Sequence, residues 1–487
     1  MAYITVAFRK TMKAMRTNTG TRQGTGAGAD AGRSDGPSQD ADERTRLLSN
    51  GGAGADHETS RGSFWRQVFL DPKTTPGLDD PNPFVKWPVH CFNILKVVLL
   101  SNYVNILLVF VPLGLIAGKM EWGATAVFTL NFFAIIPLAA ILSFATEEIS
   151  LKLGETLGGL LNATFGNAVE LIVSIIALQN NQIEVVKSSM LGSILSNLLL
   201  VMGMCFFLGG ICNMTDHNGI GFEQQFASGT AQTACSLMAL STASMVIPAA
   251  LSMVIERGPN PDAAKESVLI LSRGTAVILL LLYVLYLYFQ LRTHKNLFNP
   301  EAPEAQEDDQ EPEEATMNAW SAAAVLILTT IVISFCADYL VDSIDDIVAT
   351  GKISKNFIGL ILIPIVGNAA EHVTACVVAI RDKMDLAMGV AVGSSIQIAL
   401  LVTPFLVLLG WAMGKEMDFQ FETFETVSFF ISVLVVTYVV QDGRSNYLEG
   451  AMLFGLYVII AVAFYATPSD ALDGDVTGTV LSLLKLK

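Results

Sequence analysis

Beyond residue 95 the chain is a series of long apolar runs separated by brief polar stretches. The runs cover 97–118, 124–149, 158–180, 185–211, 227–255, 267–291, 319–341, 354–380, 385–411, 422–441 and 447–467. About 20 apolar residues suffice for a helix to cross the hydrocarbon core of a bilayer. The pattern predicts an all-α polytopic membrane protein with eleven transmembrane helices. Between the sixth and seventh runs lies the densest charge run in the chain, carrying Glu301, Glu304, Glu307, Asp308, Asp309, Glu311, Glu313 and Glu314. It separates two halves of similar length.

The halves repeat one another. Gly166-Asn167-Ala168-Val169-Glu170 returns 201 positions later as Gly367-Asn368-Ala369-Ala370-Glu371, and Gly192-Ser193 returns at the same offset as Gly393-Ser394. Ser143-Phe144-Ala145-Thr146-Glu147 is echoed by Ser334-Phe335-Cys336-Ala337-Asp338. Segments two to six and seven to eleven thus read as two five-helix repeats, with one extra helix in front. Five is odd, so the second repeat must cross the membrane in the opposite direction to the first. That is the inverted plan of many secondary transporters, whose sites lie near the midplane where the repeats meet. The expected organisation is an N-terminal region (1–95), the extra helix (97–118), the first repeat (124–291), an acidic linker (292–318), the second repeat (319–467) and a C-terminal tail (468–487).

Composition agrees with a membrane protein. Of the 487 residues 52% are hydrophobic and 15% charged, against about 25% charged in an ordinary soluble chain. The net charge of −16 argues against nucleic acid, whose binders present basic faces. Six cysteines are scattered without metal-ligand spacing, and they read as small apolar residues. Residues 17 to 62 are rich in Gly, Ala, Asp, Ser, Thr and Arg and cannot bury a core, so they are expected to be disordered. Within them Glu43, Leu47 and Leu48 have the acidic-dileucine form that cytosolic sorting adaptors read, a short pattern that chance also produces. Met1 to Arg16 has no apolar core of a secretory signal. The tail up to residue 95 carries 12 Lys and Arg, which favours a cytosolic N-terminus and, with eleven crossings, a lumenal C-terminus. The short loops lean the other way, with 6 basic residues on the cytosolic side and 8 on the far side.

An intramembrane carboxylate costs about 3 kcal/mol on insertion scales and is a functional candidate by default. Here two recur at matching places. Asn167 and Glu170 are three apart, as are Asn368 and Glu371, so each pair shares a helix face. Amide and carboxylate oxygens are the hard donors that Ca²⁺ takes, and Mn²⁺ is a further candidate of the same kind. Gly166 and Gly367 leave room for another helix or a hydrated ion to approach. Pro364, seven residues ahead of Glu371, frees a carbonyl in segment eight; the first repeat has Ala163 there, so the two halves need not be equal. Two facing carboxylates neutralise one divalent cation, repel when empty, and hold Ca²⁺ or protons but not both. That competition is a rationale for exchange, with the ions as cargo and no resident cofactor. Ser193 and Ser394 offer hydroxyl ligands, the alternative being bonds to their own helix backbone. Gln397 is placed to orient Glu371, and His372 reads as a packing residue. Glu147, Glu148 and Asp338 line entry vestibules or cap solvated helix ends. The acidic linker either concentrates Ca²⁺ at the cytosolic mouth or is simply solvated.

These motifs carry a resemblance. Gly166–Val173 and Gly367–Val373, with Gly159-Leu160-Leu161-Asn162-Ala163-Thr164-Phe165, resemble the paired signature repeats of the Ca²⁺/H⁺ exchangers of the calcium/cation antiporter superfamily, fungal vacuolar exchangers among them. The resemblance spans about residues 95 to 467 and leaves out the N-terminal tail. It implies an eleven-helix antiporter of the vacuolar membrane that moves Ca²⁺ into the lumen against protons. It maps the core carboxylates onto Glu170 and Glu371, the signature amides onto Asn167 and Asn368, and the acidic segment onto 301–314. In that segment Pro300, Pro303 and Pro312 speak against a continuous helix. A Na⁺/Ca²⁺ exchanger and a Ca²⁺ channel are the alternatives. The first needs more polar ligands than these Ala-, Val-, Leu- and Ile-rich helices supply, and the second needs no inverted duplication. No nucleophile and base pair of an intramembrane hydrolase is present in the pattern. The sequence sets no oligomeric state.

Overall fold

The computed structural model describes residues 82–213, 223–255, 261–294, 316–350 and 353–467. The acidic run 301–314, the dileucine pattern at 43–48 and the tail 468–487 lie outside them. Every described element is helical except one two-residue antiparallel ladder that pairs Gln224 with Ser445 and Gln225 with Arg444.

Among the described residues, nine helical stretches are long and apolar enough to cross a membrane: Ala124–Gly154, Ile183–Cys212, Ser228–Ser252, Lys265–Thr293, Ala319–Ala349, Lys355–Ile380, Met384–Ala412, Thr423–Val440 and Tyr447–Ala466. They fall on nine of the eleven apolar segments. The other two are broken. Segment one divides at Asn102, whose side chain accepts from the Val104 N–H at 3.1 Å and starts a new helical turn. Segment three divides at Gly166 and Asn167, leaving a 12-residue helix, Ala168–Gln179. Segments two and three are two helices, within Ala124–Phe165, that meet directly at a sharp kink at Gly154, where φ is 79°. That backbone is open to glycine and strained for other residues.

Burial sorts the segments into inner and outer helices. The most apolar window of segment four is 72% buried and that of segment nine 67%, against 28% for segments six and eleven. Segment six turns Leu281, Val284 and Leu285 outward, as a helix facing lipid should. Polar groups concentrate inside: Asn167, Glu170, Ser193, Asn197, Asn368 and Ser394 are all buried. In a bilayer no water can satisfy outward-facing amides, so such groups are tolerated only within the bundle.

The duplication shows in the backbone as well. Asn181 and Asp382, 201 residues apart, both turn the chain with φ of 60°. Each lies just ahead of a central helix that passes through a short π-helical stretch, Ser196–Val201 in segment four and Ile398–Val402 in segment nine. π-helical turns interrupt the regular ladder and gather at functional sites.

The packing of the two halves is nevertheless unequal. The outer part of segment eight, Lys355–Leu362, lies hard against segment four. A Cβ on Gly192 would overlap the Leu360 backbone carbonyl, and one on Gly359 would come within 2.8 Å of the Ser188 Cβ. Pro364 has no N–H for the Leu360 carbonyl, and that oxygen faces Gly192. The carbonyl that Pro364 frees thus lies at the contact between segments eight and four. At Gly393, the counterpart of Gly192, a Cβ would meet nothing within 4 Å.

Candidate functional site

The break at Asn167 places Glu170 in the first turn of the helix Ala168–Gln179, where it is 6% exposed. Its carboxylate crosses to the other half and rests on the backbone of Gly367. A Cβ there would stand 2.9 Å from Glu170 Oε1, so Gly367 is what lets the acid approach the second motif. Glu371 lies one turn further along the same helix, close to Glu170 and Ser394. The fold thus brings the two carboxylates of the repeated motif to neighbouring places.

The amides play unequal parts. Asn167 is fully engaged: its Nδ2 donates to Gln397 Oε1 at 2.8 Å and its Oδ1 accepts from Ser394 Oγ at 2.8 Å. Asn197 Nδ2 donates to the same serine oxygen at 3.0 Å. One hydrogen-bonded chain therefore joins segments three, four and nine. Asn368 is fully buried, yet neither end of its amide has a hydrogen-bond partner among the described residues, and the same holds for Glu371 Oε2. Buried polar atoms left unpaired cost about 1–3 kcal/mol each. Their presence side by side marks a place built for a ligand rather than for stability. Among the described residues no three His, Cys, Asp or Glu come together. A cation here therefore completes its shell with amide, hydroxyl or water oxygens around two carboxylates, the mixed oxygen set Ca²⁺ accepts.

Gln397 serves Asn167 through its acceptor oxygen rather than orienting Glu371 as the sequence suggested. Ser193 is buried one turn before Asn197. Asn197 itself escaped the sequence reading. Its signal was a lone amide in the most buried apolar segment, and it has no amide counterpart in the other repeat, which carries Ile398 there. His372 packs as expected, its Nε2 lying 3.2 Å from Ser196 Oγ.

The acids read as vestibule residues are placed differently from one another. Glu147 and Glu148 are buried, at 2% and 0% exposed. Glu148 accepts from Thr316 Oγ1 and the Met317 N–H, both at 2.8 Å, which ties segment two to the start of segment seven. Asp338 is exposed, and with Asp342 it accepts from the Asn180 amide, at 3.5 and 2.8 Å.

The sodium/calcium exchanger protein family matches residues 123–292 and 321–466. The chain belongs to this family. A vacuolar calcium ion transporter of Schizosaccharomyces pombe is 47% identical over 432 residues, which is 89% of this chain and 95% of that protein. A Ca²⁺/H⁺ antiporter of Synechocystis is 44% identical over 380 residues, 76% of this chain and 98% of that protein. The solved structure of the Ca²⁺/H⁺ antiporter protein YfkE is 36% identical, covers 75% of this chain and 99% of its own, and superposes with a TM-score of 0.61. Asn368→Ala should raise the Ca²⁺ concentration for half-maximal vesicle uptake about tenfold, the worth of one lost ligand at ~1.4 kcal/mol. A change below twofold would remove Asn368 from the site.

Proposed function

We propose that this family member is a secondary antiporter that exchanges cytosolic Ca²⁺ for lumenal H⁺ across the vacuolar membrane by alternating access. The single observation that carries the reading is the Glu170 carboxylate seated on Gly367 beside Glu371. Two acids from opposite repeats converge in one dry place, next to an unpaired Asn368 amide. The proposed ligand set is Glu170, Glu371 and the Asn368 oxygen, with Ser394 at its edge. Asn167, Gln397 and Asn197 hold that serine in place. Ca²⁺ displaces protons from the acids, and protons displace Ca²⁺. An empty pair of charges resists closure, since burying them uncompensated is costly.

In the proposed topology the chain crosses eleven times as two inverted five-helix repeats behind one extra helix. Its N-terminus is cytosolic and its C-terminus lumenal. The tight contact of segment eight on segment four at Gly192 and Gly359 then lies on the lumenal side, and the open flank of Gly393 on the cytosolic side. That combination describes a state closed to the lumen and reached from the cytosol. Asp338 and Asp342 sit on the lumenal side, where released Ca²⁺ would pass.

One pH unit supplies about 1.4 kcal/mol per proton, so two protons across two units supply roughly 5 kcal/mol, enough for several thousandfold accumulation. Ca²⁺ uptake into sealed vesicles of acidic interior, with Na⁺ absent, is expected to stop when a protonophore collapses the gradient. Uptake that persisted would point to a channel, and uptake restored by an outward Na⁺ gradient would point to sodium exchange.

A further inference from the structure

Segment ten carries an acid that the exchange site does not use. Glu425 is the third residue of the helix Thr423–Val440 and is 2% exposed. Its Oε2 accepts from the Glu422 N–H at 3.4 Å, a long capping bond. Its Oε1 lies 2.8 Å from Ser188 Oγ on segment four, and the same hydroxyl lies 2.9 Å from the Glu184 carbonyl oxygen. Ser188 is also the residue on which Gly359 of segment eight rests. Segments four, eight and ten thus meet at one hydroxyl.

Proton counting decides what Glu425 is. A serine hydroxyl has one hydrogen. The Glu184 carbonyl can only accept, and an ionised carboxylate can only accept. Two acceptors cannot both be satisfied by one hydrogen. Both contacts become hydrogen bonds when Glu425 carries a proton: the acid donates to Ser188 Oγ, and Ser188 donates to the Glu184 carbonyl. Among the surrounding charges Lys187 opposes a neutral acid, but its own charge is shared with other partners. Glu422 on its own helix is a like charge. Lys187 on segment four is held by the Asp418 carboxylate and the Gln420 carbonyl. Lys355 at the head of segment eight is paired with Asp345 at 2.8 Å, and Glu184 is exposed.

We propose that Glu425 is a further proton-binding site, outside the exchange site, whose protonation from the lumen holds segment eight shut against segment four through Ser188. The lumenal assignment rests on the function proposed above. A charged Glu425 would place an unsatisfied anion in this three-helix contact, draw water to Ser188 and loosen Gly359 from it. Closure toward the lumen then follows proton binding, which discourages return of the exchange site until protons are available. Glu425 acts on the exchange site by positioning segment eight and touches neither ion at that site.

The test is Ca²⁺ uptake by sealed vesicles as a function of lumenal pH, with the cytosolic side held constant, for the unaltered protein, Glu425→Gln and Ser188→Ala. Glutamine keeps the shape and a donor for Ser188 and never ionises. Its proton order for lumenal activation should fall by about one, and its uptake with a neutral lumen should exceed that of the unaltered protein several-fold. Ser188→Ala should lose the same dependence without that gain. A Glu425→Gln profile that overlays the unaltered one overturns the proposal. Should Glu425→Gln be inactive, infrared difference spectra of the purified proteins decide. A protonated-carboxyl band present in the unaltered protein and missing in the variant supports the site, and identical spectra refute it. If the unaltered protein shows no proton-driven uptake at all, the exchanger reading fails on that result alone.

Discussion

Glu371→Gln is expected to reduce Ca²⁺ uptake at least a hundredfold, and Glu170→Gln to do the same, while both proteins fold and insert normally. Each change keeps the volume and one oxygen but halves the charge available to a divalent ion. Breaking a buried charge partnership costs about 3–5 kcal/mol, and 1.4 kcal/mol is a factor of ten in occupancy. Folding should survive because an uncharged amide is cheaper to bury than a carboxylate. Glu170→Gln also tests the cross-repeat contact, since its new amide nitrogen can stand where Oε1 meets Gly367. Vesicle uptake with either variant above a tenth of normal would break the two-carboxylate site. Thermal unfolding in detergent checks that the loss is one of transport and not of structure.

Gly192→Val is the second large effect. A valine has no place to go, because the first atom beyond the backbone already overlaps the Leu360 carbonyl, a group that cannot swing aside. Overpacking of a tight contact costs about 1–3 kcal/mol and occasionally more, which is a population change of tenfold or greater. Uptake should fall at least tenfold and the purified protein should melt earlier, with Gly192→Ala intermediate in both. Normal uptake by Gly192→Val would show that this contact is not part of the working cycle.

Much of this was legible in the chain. Apolar runs located the segments because a bilayer permits few alternatives to a satisfied helix. The repeated Gly-Asn-x-x-Glu pointed to the place where the Glu170 carboxylate meets Gly367 near Glu371, because a buried carboxylate is costly. What the pattern missed is geometry that spacing alone does not set. Segments two and three read as separate helices, which they are, but the abrupt kink at Gly154 that joins them has no signal in spacing. Gln397 was paired with the wrong motif because reach across the interface depends on which helix breaks, and only the first repeat breaks, at Asn167. Glu148 looked like a vestibule acid. Its partners, Thr316 and Met317, lie 168 and 169 positions away, beyond any local rule. Asn197, Ser188 and Glu425 are single polar residues without a repeated counterpart of the same type, so duplication could not flag them.

The vacant flank of Gly393 has a meaning that its counterpart supplies. Gly192 and Gly393 occupy matching places in the two repeats, yet one is pressed against a neighbour and the other stands free. Under the proposed cycle they are two settings of a single latch. Exchanging the conformations of the repeats would free Gly192 and press Gly393 against the first half of segment three, with Gly154 as the pivot. The chain therefore carries a template for the shape it does not show. Under that cycle a side chain at 393 would meet nothing in the present state and would be crowded in its mirror image.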